Sequence, residues 1–132
     1  MSSKDSFGII RINNDVVKTI ASVELSKVEG LISTSGKRFL DPLRTQKGPD
    51  KSVDAEVEEN RVKVSVSANI LYGHNVYDTA RRLQQRIKNA VEQMTGLIVE
   101  TVDVDIADIV KDPDAKKGKG EDEAESEEAE NE

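Results

Sequence analysis

The periodicity of the chain changes once, at Thr95-Gly96, and that change restricts the fold more than any other feature. Over residues 76–94 the apolar side chains fall at helical spacing: Val76, Ala80, Leu83, Ile87, Ala90, Val91 and Met94. Beyond the glycine they alternate: Val102, Val104, Ile106. Spacing near 3.6 marks a helix with one apolar face, and spacing of two marks a strand with one buried face. A helix that stops at glycine and runs at once into a strand implies a layered arrangement, because each apolar face needs the other's cover.

The rest of the chain supplies the other layers. Asn13, Asn14 and Asp15 offer caps for a first helix over residues 14–28, with Val16, Val17, Ile20, Ala21 and Val28 on its apolar face and a stop at Gly30. Residues 32–52 form a long polar connection broken by Gly36, Pro42, Gly48 and Pro49, in which Phe39, Leu40 and Leu43 are the large apolar residues. Val53, Ala55 and Val57 alternate with acids, and Val62, Val64, Val66, Ala68 and Ile70 alternate with polar residues. The turn between them, Glu59-Asn60, predicts a hairpin with Asn60 at the position of positive φ. Asn75 caps the second helix, and residues 97–109 form the third strand. The fold class is α/β (α+β), in the order α-β-β-α-β. It is a small three-stranded mixed sheet with two helices packed on one face and a parallel crossover through the second helix. The pattern leaves open whether the third strand lies beside the first or the second.

Charge divides the chain differently. Residues 111–132 hold four Lys against ten Asp or Glu, a net of −6 in a chain of −7, so residues 1–110 are close to neutral. We expect three parts: a flexible N-terminal arm over 1–11, a domain over 12–110, and a disordered acidic tail over 111–132 that lacks the apolar residues to repay ordering. A near-neutral domain is not the footprint of a general nucleic-acid binder. With no cysteine there is no disulfide framework or thiolate metal site. No apolar run reaches the length of a membrane span, and the N-terminus lacks the apolar stretch of a signal peptide. The expectation is a cytoplasmic protein that meets a membrane only through a partner.

Each candidate site has a plain alternative. Asp103, Asp105 and Asp108 carry the hard oxygens a divalent cation favours, but two of them are simply the polar positions of an alternating strand. With Asp54, Glu56 and Glu58 they predict an acidic outer sheet face. His74, the one histidine, has no nucleophile or orienting acid to make a triad, and the chain holds no G-x-S-x-G or H-E-x-x-H. Gly73 before a helix start is too little for a phosphate loop. Arg82, Arg86, Asn89 and Gln93 fall on one stripe of the second helix, away from its apolar face. That stripe is an ordinary solvated face or, with arginine as anchor, a docking surface for an acidic partner beside the 36–49 loop. No catalytic, cofactor or metal residue is assigned.

Ile20-Ala21, Val28-Glu29-Gly30-Leu31, Tyr72-Gly73, and above all Val91-Glu92-Gln93-Met94-Thr95-Gly96-Leu97 with Glu100-Thr101-Val102-Asp103-Val104-Asp105-Ile106 resemble the alkaline shock protein family of Gram-positive bacteria. The resemblance spans residues 12–110 in the same element order; Tyr77 stands in the region where the family often has proline. It implies a non-enzymatic cytoplasmic module of cell-envelope homeostasis and of the alkaline or general stress response. Such proteins self-associate, and a small membrane protein recruits some of them. It implies no cofactor and no catalytic residue. An RNA-binding module and a regulatory partner of a lipid-synthesis or other metabolic enzyme remain the alternatives.

Overall fold

A computed structural model describes residues 2–5 and 7–113 of the chain. Strands β1 (Ser2–Asp5) and β2 (Gly8–Arg11) pair antiparallel at the N-terminus. Helix α1 (Asn14–Lys27) follows, then a short strand β3 (Leu31–Ile32) and a one-turn helix α2 (Pro42–Thr45). Strands β4 (Val53–Glu58) and β5 (Arg61–Leu71), helix α3 (Val76–Thr95) and strand β6 (Ile98–Val110) complete the order.

The α+β class and the α-β-β-α-β frame hold, with short elements added to them. The central strand is β5. Along one edge it pairs antiparallel with β4, from Val53↔Val66 to Glu58↔Arg61, and then with β3 at Leu31↔Ile70 and Ile32↔Asn69. β6 runs parallel to β5 from Arg61↔Ile98 to Leu71↔Val110 and so takes the other edge. The strand after the crossover therefore lies beside the second strand of the hairpin. The main sheet has four strands, not three, because two residues of the long connection pair with the far end of β5.

Local chemistry sets the boundaries. The Asn13 side chain accepts from the Asp15 N–H at the start of α1, and the Asn75 side chain accepts from the Asp78 N–H at the start of α3. α1 ends one residue short of the predicted stop, with Val28 extended, so Gly30 lies beyond the cap. Its φ of +93° and the His74 ring, 2.7 Å from where a Cβ would stand, explain glycine there. Gly96 ends α3 in the left-handed region at φ 77°, and its N–H reaches the Glu92 carbonyl. In the β4–β5 turn Glu59, not Asn60, takes positive φ, at 54°. Tight hairpin turns need that geometry, and the register places it on the first of the two turn residues.

α1 and α3 cover one face of the sheet. Val17, Ile20, Ala21 and Leu25 meet Leu83, Ile87 and Val91 over Val53, Ala55, Val62, Val64, Val66, Val99 and Val102. Val76 and Met94 share the azimuth of Leu83 and Ile87 but sit at the two ends of α3, and Met94 is 73% exposed. A 20-residue helix is about 30 Å long and overhangs the layer it packs on. In the long connection Phe39 is buried in the core, while Leu40 and Leu43 stay exposed. Asp50 N–H bonds to the Ser22 hydroxyl, and α2 packs on α1, so the connection is tied down on the α1 side. Residues 7–11 bury no side chain. The expected tail lies outside the described residues beyond Pro113.

Candidate interaction site

Three surfaces carry the chemistry of the domain: the outer stripe of α3, the seam between α3 and β6, and the outer sheet face. α3 places Arg82, Arg86, Asn89 and Gln93 together on one exposed stripe, as the sequence predicts. The four are not equivalent. Arg86 reaches Glu24 of α1 at 3.1 Å, and Glu24 is only 15% exposed. Lys27 also approaches Glu24, at 3.8 Å. A pair that remains partly open to solvent contributes about 0–1 kcal/mol, but it commits Arg86 to fastening α3 to α1. Arg82, Asn89 and Gln93 have no side-chain partner among the described residues, so they are the groups that an incoming surface can use.

A second stripe of α3 faces β6. Gln84 Nε2 donates to the Val102 carbonyl at 2.9 Å, and Lys88 Nζ donates to the Val99 carbonyl at 3.3 Å. Glu92 accepts from the Val99 N–H at 3.0 Å and from Lys88 Nζ at 2.9 Å. These side chains satisfy the Val99 N–H and C=O and the Val102 C=O on the outward edge of β6, where a neighbouring strand would otherwise bond. Between the two elements lies an open groove of about 340 Å³, lined by Arg81, Gln85 and Thr101 among others. Arg81 is turned along the helix, donating to the Tyr77 hydroxyl with its guanidinium over that ring. Sequence reading passes over this seam, although the i,i+4 spacing of Lys88 and Glu92 is its one visible trace.

Glu92 is also where acid should act on the fold. The Lys88 ammonium that bonds to it, and next the Val99 N–H, hold its carboxyl below the ordinary value of 4.5. A carboxyl lowered in the folded state contributes stability above its unfolded pKa and loses it as pH falls through the folded value. We therefore expect Glu92→Gln to melt below the parent at pH 7. The gap should narrow as pH falls below about 4.5, and melting curves taken from pH 7 to pH 3 measure it.

The outer sheet face is acidic, as expected. Asp54, Glu56 and Glu58 on β4 and Asp103 and Asp105 on β6 are all exposed, with Lys63 and Arg61 between them on β5. Arg61 bonds Glu100, the extra residue of a bulge, at 3.0 Å. Asp103 and Asp105 are exposed, Asp108 turns back to accept from the Ile109 N–H at 2.8 Å, and no group of three His, Cys, Asp or Glu among the described residues could hold a metal ion. His74 is exposed, with its ring against Gly30, and its side chain makes no hydrogen bond or ion pair among the described residues. No described helix is long and apolar enough to cross a membrane. Within the 36–49 loop, α2 packs on α1, the helix whose Glu24 receives Arg86 of the stripe.

Comparison with known proteins gives the chain a family. Residues 2–111 match the alkaline shock protein 23 family, described by its cell envelope-related function. The chain is 22% identical over 113 residues to the uncharacterized protein Spy1614 of Streptococcus pyogenes, covering 83% of this chain and 92% of that protein. It is 21% identical over 105 residues to the uncharacterized protein YloU of Bacillus subtilis, covering 76% and 88% respectively. No solved structure matches.

Proposed function

The chain belongs to the alkaline shock protein 23 family, whose function is cell envelope-related, and from that premise we propose that it is a non-enzymatic cytoplasmic module that works by docking. Its partners are a protein held at the membrane and further copies of itself, in envelope homeostasis under alkaline or general stress. The observation that carries this reading is the α3 stripe, where Arg82, Asn89 and Gln93 stand exposed and unpaired among the described residues on a rigid, well-capped helix. Arginine on a rigid element is a good anchor for an acidic surface.

The test is crosslinked capture of partners from membrane and soluble fractions, comparing the parent with Arg82→Glu/Asn89→Glu. Arg86 is left alone because Arg86→Glu would place a carboxylate against the partly buried Glu24. The double variant should melt like the parent and lose roughly tenfold or more of its partner binding, the size of one interface anchor. Undiminished capture of the same membrane protein removes the stripe from the proposal. Recovery of RNA, with an affinity that falls steeply with salt, or of a single soluble enzyme replaces the reading with the rival it names.

A further inference from the structure

The seal that α3 places on β6 stops short. Beyond Val102 the same alternation turns the backbone N–H and C=O groups of Val104 and Ile106 away from β5. None of these groups has a partner among the described residues. The apolar cover fails over the same stretch. Val102 is 7% exposed, Val104 and Ile106 are half-buried, and Ile109 is 53% exposed. This end of the sheet therefore lacks a neighbouring strand in hydrogen bonding and in packing together. On the outer face beside it, Asp103 and Asp105 have no ion pair among the described residues.

The chain carries a segment with the complementary character. All four residues of β2 are exposed, with Ile10 at 67%, and Phe7 projects beside them. A two-stranded hairpin is marginal in water without a further surface to pack on. We propose that β2 of one copy adds as a strand to the open segment of β6 in a second copy. Alternation then sets Ile10 against Val104 and Ile106 while Arg11 lies on the opposite face, over Asp103 and Asp105. A β6–β6 pairing would instead bring these aspartates face to face, which is unfavourable.

The geometry makes the contact head-to-tail. Ile12 packs on the core, and Asn14 accepts from the Val57 N–H, so β2 departs from the β4 side of the sheet. The open edge is on the β6 side. Donor and acceptor thus lie at opposite edges of one domain, and each copy presents a free donor and a free acceptor to the next. This deepens the self-association in the proposed function and leaves the α3 stripe free for a different partner.

Sedimentation velocity on the full chain tests it. The parent should associate with rising concentration. Ile10→Asp, which spoils the donor, and Ile106→Pro, which removes an outward N–H and one half-buried apolar side chain of the acceptor, should each weaken association roughly tenfold or more. Mixed one to one, the two variants should form a discrete heterodimer, because one retains its edge and the other its hairpin. If Ile106→Pro fails to melt like the parent, Asp103→Lys/Asp105→Lys serves as the acceptor variant. A monomeric parent, variants that associate as the parent does, or a mixture that stays monomeric would each overturn the proposal. Partner capture through the α3 stripe is scored separately, so docking can stand while this contact falls, or the reverse.

Discussion

Replacing Ile87 with alanine is expected to destabilise the domain by about 2–5 kcal/mol, lowering the melting temperature by roughly 10–25 °C. Ile87 is fully buried where α3 meets both α1 and the sheet. Truncation removes its transfer free energy and leaves a cavity that the flanking Leu83 and Val91, themselves fully buried, cannot collapse into. Met94→Ala is the matched control. It deletes as many heavy atoms from the same azimuth of the same helix, yet Met94 is largely exposed, so its cost should stay within about 0.5 kcal/mol. Equal losses at the two sites would mean that α3 packs along its whole length, against the overhang seen here. Because the candidate stripe rides on α3, Ile87→Ala should also weaken partner capture near its melting temperature, whereas Arg82→Glu/Asn89→Glu should weaken it at every temperature.

What the sequence discloses divides by range. Caps and stops depend on a few neighbouring atoms, so Asn75 and Gly96 could be placed from residue type alone. Periodicity likewise reports which face is buried, and the core side chains of α1, α3, β4, β5 and β6 follow it. Val16, in the first turn of α1, and Val76 and Met94, at the ends of α3, depart from it because periodicity gives an azimuth and says nothing of where the opposing layer ends. β3 escapes notice because two residues have no period, and their pairing with Ile70 and Asn69 depends on contacts almost forty residues away. The same limit applies to the site. The α3 stripe is legible because it is a helical repeat, but the capture of Arg86 by Glu24 is a contact between two helices and is invisible in either one. The open edge of β6 needs the sheet order before it exists at all. What sequence does show there is alternating aspartate, which is the usual way an edge is kept from pairing indiscriminately. A charged edge that rejects most strands yet accepts one carrying arginine discriminates between partners through the same residues.

Asn69→Leu is expected to stabilise the domain by about 1–3 kcal/mol, against the general tendency of point substitutions to destabilise. Asn69 lies on β5 opposite Ile32, is 7% exposed, and its Oδ1 is fully buried with no hydrogen-bond partner among the described residues. Its backbone stays in the ladder whatever the side chain, so the substitution exchanges an amide that has lost its water for an apolar group of similar size. Ile32, fully buried and directly across the ladder from Asn69, supplies an apolar neighbour on the same face. Asn69→Ala separates the two contributions, since it also removes the unpaired oxygen but leaves space behind. The leucine variant should therefore melt above the parent and the alanine variant below the leucine one, with the heat-capacity change of unfolding little altered. A leucine variant that melts below the parent would mean that the amide is satisfied in solution. Should Asn69→Leu gain stability and still weaken self-association, the orphaned amide would belong with the β6 end of the sheet as a group kept for contact rather than for folding, because polar groups held against stability gather where a surface has work to do.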